Sequence, residues 1–193
     1  EKPLKVSLTD LIEQALQQLG PKLTEPRNTV KQGVLDFFFG RLSHMLVNQE
    51  GYTPDVVEAA LAVGIDDLIG AVARAKALAA FKARPDFESV AGAFKRVANI
   101  IKEPEKTAVN AELFQAAAEQ SLLAALASAE QVVTGHLAQA DYGRAFEAVS
   151  ELRGVIDAFF DSVLVMDQDE AVRRNRLALL TRVHQLFSQL ADF

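Results

Sequence analysis

The stretch Asp157-Ala-Phe-Phe-Asp-Ser-Val-Leu-Val-Met-Asp-Gln-Asp-Glu-Ala-Val-Arg-Arg-Asn-Arg-Leu-Ala-Leu-Leu180 decides how this chain folds. It reads as the end of one amphipathic helix, a short polar turn, and the start of a second. Asp169 and Glu170 stand where a helix amino terminus favours carboxylates, and Arg173-Arg174-Asn175-Arg176 follow in the first turns. Upstream, Tyr142, Ala145, Phe146, Val149, Leu152, Ile156, Phe159, Phe160 and Val163 form one stripe at helical spacing. Downstream, Val172, Leu179, Val183, Leu186, Phe187 and Leu190 form another. The simplest arrangement packs these two stripes against each other.

Working outward, nearly every segment repeats at a period of 3.6, and alternating strand patterns closed by Asn-Gly or Asp-Gly turns are missing. Eight helices are expected. They cover about Leu8–Leu19, Arg27 or Thr29–Asn48, Thr53–Gly64, Asp66–Ala83, Phe87–Lys102, Asn110 or Ala111–Thr134, Asp141–Leu164 and Asp169–Leu190. Gly20-Pro21, Gly51, Pro85 and Pro104 punctuate them. Connections this short make successive helices antiparallel neighbours, so the expected fold is an all-α antiparallel bundle. Phe37-Phe38-Phe39 point about 100° apart on a helix and cannot form one stacking platform. They read as a central helix buried on several sides.

The chain has 193 residues, half of them apolar and 24% charged, with a net charge of −6. No apolar run reaches the roughly 18 residues needed to cross a bilayer. With no cysteine, disulfides, thiolate chemistry and sulfur-ligated metals are excluded, which fits a cytoplasmic protein. An acidic balance argues against a nucleic-acid partner until its distribution is considered. Residues 68–85, 92–102 and 171–191 contain no Asp or Glu and hold 11 of the 20 Lys and Arg residues. Such segregation is compatible with a local basic face on an acidic protein, and also with chance and helix pairing.

Catalytic chemistry finds little to work with. His44, His136 and His184 lack the helical ligand spacing that zinc needs, so no metal is expected. Glycine-rich phosphate loops, nucleophile elbows and dinucleotide fingerprints are absent. Asp157, Asp161, Asp167 and Asp169 resemble a carboxylate cluster but are explained by helix spacing and caps. Arg74, Lys76, Lys82 and Arg84 lie on an alanine-rich helix and read as a solvated face.

Two basic clusters carry binding chemistry instead. The guanidinium of Arg173 or Arg174 can grip phosphate, and the amide of Asn175 can pair with a base edge. At 100° per residue Arg174 falls opposite the apolar stripe and Arg173 on its flank, so a solvated face and an RNA contact are both open for them. Arg176 falls inside the stripe and needs a carboxylate there. Asp157 and Asp161 are the expected partners, making Arg176 a structural ion-pair residue. In the second cluster Lys95, Asn99 and Lys102 share one helix face beside Arg96, which suits RNA contact; cations near a helix carboxyl end are also favoured by the dipole alone.

The stretch Glu170-Ala171-Val172-Arg173 is similar to the signature of DALR-type anticodon-binding domains, with valine in place of its leucine. Phe94–Ile101, Leu35-Asp-Phe-Phe-Phe-Gly-Arg-Leu42 and Glu50–Leu61 follow the order of the same region in bacterial glycyl-tRNA synthetase beta subunits. The chain therefore resembles the carboxyl-terminal anticodon-binding region of that family from about residue 30 onward. The resemblance implies a helical module over residues 26–193, with residues 1–25 as the tail of a preceding segment in a longer chain. It implies binding of the anticodon arm of glycine tRNA, for which the two basic clusters supply Lys95, Arg96, Asn99, Lys102, Arg173, Arg174 and Asn175 as candidate contacts; the resemblance does not say which side chain reads which base. It also implies partnership with an alpha subunit in an α2β2 enzyme that uses ATP and glycine. A helical protein-interaction domain with no RNA role is the competing expectation, and it accommodates the acidic balance more easily.

Overall fold

A computed structural model of the chain describes residues 6–101 and 103–192. Among these residues there are helices and connecting segments but no strand, so the protein is all-α. None of the helices is long and apolar enough to cross a membrane. The described residues form nine α-helices in order: α1 (Leu8–Leu19), α2 (Arg27–Asn48), α3 (Pro54–Ala62), α4 (Leu68–Lys82), α5 (Phe87–Ile100), α6 (Ala117–Ala138), α7 (Tyr142–Ser150), α8 (Arg153–Ser162) and α9 (Glu170–Ser188). They form two compact units that divide between Ala79 and Ala80, within α4. The boundary expected from the sequence lies at residue 25 instead.

In the first unit α1 packs on α2, and α2 on α3. Leu8, Ile12 and Leu16 repeat every four residues and bury the inner stripe of α1. Ser7 caps that helix by accepting the Asp10 N–H at 3.0 Å. Asp66 then ties the cap down, accepting the Ser7 hydroxyl at 3.0 Å and the Thr9 N–H at 2.8 Å. Arg74 departs from its expected solvated role. It is 8% exposed and donates from Nε to the Ala60 carbonyl at 2.8 Å and from its other end to the Gly64 carbonyl. Its guanidinium thereby satisfies carbonyls that the end of α3 leaves unpaired.

The expectation of a buried α2 is corrected. Leu42 and Leu46 are its only buried residues, while Phe37 is 66% exposed and Phe39 37%. The three phenylalanines do point in different directions, but only one side of the helix has neighbours within this unit to cover it.

The second unit is built on α5 and α6. Helix α8 packs against both, α9 packs against both, and α7 covers α6. The two stripes read from the sequence are buried apart from the half-buried Tyr142 and Phe160, yet α5 and α6 are the principal neighbours of each, so the expected direct packing of one stripe on the other is corrected. Aromatic contacts mark these seams. Phe94 of α5 stacks on Phe187 of α9 with centroids 4.3 Å apart, and Phe81 stacks on Phe146 at 5.1 Å.

The helix expected from Asp141 to Leu164 is two. The Ser150 hydroxyl donates to the Glu147 carbonyl at 2.7 Å, the Leu152 N–H turns back to Val149, and Gly154 follows. A side chain competing for the backbone ladder beside a poor helix former breaks the run there. The sixth helix likewise starts later than expected. Asn110 caps a single 3-10 turn at Ala111–Leu113, and α6 begins only at Ala117.

The contrast in burial gives a direct test. Phe146→Ala should lower unfolding free energy by about 3–5 kcal/mol, because it empties a side chain that is 1% exposed. Phe37→Ala should change it by less than about 0.5 kcal/mol, as measured by urea denaturation.

Candidate nucleic-acid interface

Helix α5 turns Val90, Ala93, Phe94 and Val97 inward, which leaves Lys95, Arg96 and Asn99 exposed. Lys95 and Asn99 are four residues apart and share a face. Arg96 leans toward α8, its guanidinium 4.4 Å from the Phe160 ring centre and 3.5 Å from Asp157. Asp157 is also 3.4 Å from Arg153 on its own helix. With the Arg96 side chain 50% exposed, an ion pair of this kind contributes at most about 1 kcal/mol, and the ring contact about as much. These tethers orient Arg96 without consuming its donors. Lys102, expected on the same face, lies outside the described residues.

At the start of α9 the backbone is held by carboxylates. Asp169 accepts the N–H groups of Ala171 and Val172 at 2.8 and 3.2 Å, and Asp167 accepts that of Asp169 at 3.0 Å. Arg173 folds back and donates to the Asp167 carbonyl at 3.0 Å. Arg174 is 52% exposed and reaches Glu105 at 3.3 Å. The Glu105 carboxyl is held below its usual range by the Thr107 N–H first and by Arg174 second.

Asn175 is not available to read a base, which corrects its place among the expected contacts. It is 3% exposed; its oxygen accepts the Asn110 N–H at 2.7 Å and its nitrogen donates to the Asn110 carbonyl at 2.9 Å. Thr181 does similar work one face further along, accepting the Glu105 N–H at 3.1 Å. Together these side chains strap residues 105–110 along α9.

Arg176 lies inside the core at 4% exposure and makes an ion pair, but the expected partners Asp157 and Asp161 are corrected. Its Nε donates to Glu119 at 2.9 Å. One terminal nitrogen donates to Asp167 at 2.7 Å and the Leu164 carbonyl at 2.9 Å, and the other to Gln115 at 3.0 Å. Asp157 is turned toward the cations of α5 and α8, and Asp161 is exposed. Burial draws the Arg176 pKa down, yet hydrogen bonds to Glu119 and Asp167 outweigh it and hold the group above its ordinary value.

Glu119 escapes a reading of the sequence because α6 is expected to begin earlier. It is fully buried, and its second oxygen accepts the N–H groups of Gln115 and Ala116 at 2.7 and 2.8 Å, capping α6. A glutamate in the first turn after Gln115-Ala116 is the signal that could have found it. No buried side-chain nitrogen or oxygen among the described residues lacks a hydrogen-bond partner. No group of three or more His, Asp or Glu side chains able to hold a metal occurs among them.

Removing one member of this centre leaves a buried charge alone. Glu119→Ala should destabilise the chain by about 3–5 kcal/mol, and Asn175→Ala by about 1–3 kcal/mol, in denaturant titrations. Asp167 adds a pH signature. The Asp169 N–H, then Arg176, holds its carboxyl below the usual range. The stability it contributes is therefore complete above an ordinary aspartate pKa of about 4 and is lost as pH falls through the lower folded-state value. Asp167→Asn should flatten the acid limb of a plot of unfolding midpoint against pH.

Comparison with known proteins locates this architecture. The chain is 45% identical over its whole length to the glycine–tRNA ligase beta subunit of Trichlorobacter lovleyi and covers 28% of it. It is 44% identical to that of Geotalea daltonii, again covering 28%. Over 97% of the chain it is 47% identical to that of Anaeromyxobacter dehalogenans, covering 27%. It thus spans less than a third of the relatives it matches. Residues 90–193, which take in most of α5 and all of α6 to α9, match the model of the DALR anticodon binding domain. That match covers more than half of the chain, and the chain belongs to the DALR anticodon binding domain family.

Proposed function

We propose that the chain is the tRNA-binding module of a glycyl-tRNA synthetase beta subunit and recognises the anticodon arm of glycine tRNA. The observation that carries this reading is the outer face of the carboxyl-terminal two-thirds of α5, acid-free from Gly92 onward, with Lys95, Arg96 and Asn99 exposed inside the region matched to the anticodon-binding family. Lysine and arginine there meet phosphates, the Asn99 amide can pair with a base edge, and Arg96 backed by Phe160 offers a planar surface to an unstacked base. Arg174, and Arg173 with its remaining donors, extend the set along α9. Lys102 completes it in the sequence.

On this reading the chain performs no chemistry itself. It supports ATP-dependent glycylation of glycine tRNA, carried out with an alpha subunit in an α2β2 enzyme of the cytoplasm. ATP and glycine are used elsewhere in that enzyme. The domain extends from about residue 26, with its RNA-facing part in the second unit.

The test is a titration of glycine tRNA, and of a tRNA differing only in its anticodon, at two salt concentrations. The natural anticodon should bind more tightly, and affinity should fall as salt rises. Replacing Lys95, Arg96 and Asn99 together by alanine should weaken binding about tenfold or more. It should also reduce the salt slope by about one for each phosphate that is no longer neutralised, with the circular dichroism spectrum unchanged. Salt-insensitive, negligible affinity in the unaltered chain would instead favour the protein-interaction reading.

A further inference from the structure

The first unit carries a surface that its own residues do not cover. Residues 27–41 of α2, four turns of helix, contain no fully buried side chain and leave most of them exposed, although a helix in a folded protein draws most of its stability from packing. At the carboxyl half of α2 and the start of α4 lies a groove of about 290 Å³, its apolar walls formed by Phe38, Leu42, Met45 and Leu68. Arg41, His44 and Gln49 complete its lining, and no acidic residue is among them. Neither the Arg41 side chain nor the His44 ring is engaged by a hydrogen bond or ion pair among the described residues. Beside the groove Phe37 is 66% exposed and Ile69 52%. Gly33 and Gly40 sit four residues before and three after Phe37, and a Cβ at either would meet nothing within 4 Å. Another backbone could approach closely along that line.

We propose that this groove docks an apolar helical segment flanked by carboxylates, from the part of a longer polypeptide that lies outside these 193 residues. Two observations select that occupant. The chain matches its relatives along its whole length yet covers only 28% of them, so such a polypeptide has ample chain to supply the segment. The rim offers the Arg41 guanidinium and no carboxylate, which complements an acidic flank. Contiguous exposed apolar residues of this kind mark contact surfaces. The inference is independent of the RNA reading, which concerns the second unit.

Because the chain has no cysteine, a single introduced thiol reports on each position. Phe37→Cys, Ile69→Cys and, as a control in the second unit, Met166→Cys replace residues 66%, 52% and 63% exposed, so each should fold normally. Iodoacetamide labelling would be timed by mass spectrometry in the 193-residue chain and in the same chain spliced into the Trichlorobacter lovleyi relative in place of its matching 28%. Labelling at positions 37 and 69 should slow at least tenfold on splicing while position 166 stays unchanged, and Arg41→Glu should restore part of the rate at position 37. Should the splice fail to fold, hydrogen exchange of the α2 region in the whole relative, against its own matching portion, makes the same comparison. Unchanged rates at positions 37 and 69, or unchanged exchange, would overturn the proposal. So would protection in the isolated chain that grows with its concentration, which assigns the groove to a second copy. Protection that comes only with added glycine tRNA would overturn it in favour of RNA.

Discussion

The Arg176–Glu119 pair is the constraint on which the second unit depends. Taking both ions out of water costs several kcal/mol each, and the pair is tolerable only because each of its nitrogens and oxygens has a hydrogen-bond partner. Glu119 divides its two oxygens between the guanidinium and the amino terminus of α6. Arg176 divides its nitrogens among Glu119, Gln115 and the turn that leads into α9. One buried contact thus sets where α6 begins, how α9 lies against it, and how the intervening turn closes. A pair of this kind adds little net stability compared with a well-packed apolar core; its effect is to make alternative registers of α9 costly, since each would strand a charge.

The same economy of partners separates the polar residues of α9 from those of α5. Asn175 and Thr181 hold a connecting segment whose backbone groups would otherwise be unpaired, and Arg173 closes the preceding turn. These side chains are polar because the structure around them is not helical or sheet-like and needs hydrogen bonds from somewhere. On α5 the inward face is entirely apolar, so its outer polar residues have no such obligations. Arg96 is held by a ring and a shared carboxylate, both weak enough to be exchanged for a phosphate.

The first unit shows the opposite imbalance. Its polar needs are met locally, by Asp66 at the start of α1 and by Arg74 at the end of α3, while apolar side chains of α2 are left facing water. In an isolated domain such exposure has a cost and no return. On a surface that meets another part of a polypeptide it becomes the source of the binding energy.

Periodicity in the sequence determined the helical class, most helix positions and the inward stripes of α8 and α9, because a 3.6-residue repeat of apolar side chains has one compact solution. It also placed Lys95, Asn99 and Lys102 on one helix face beside Arg96, by spacing alone, and the first two of these are exposed together with Arg96. What it could not determine was pairing between segments distant along the chain. Arg176 visibly needed a carboxylate, but Glu119 is 57 residues away and Asp157 only 19, and chain proximity favoured the wrong one. Asn175 looked like a base-reading amide until the backbone of Asn110 occupied both ends of it. Whether a polar side chain is free for a ligand or spent on the fold depends on which backbone groups the tertiary structure leaves unsatisfied. Only the assembled helices decide that, because desolvation is a property of the surroundings and not of the residue.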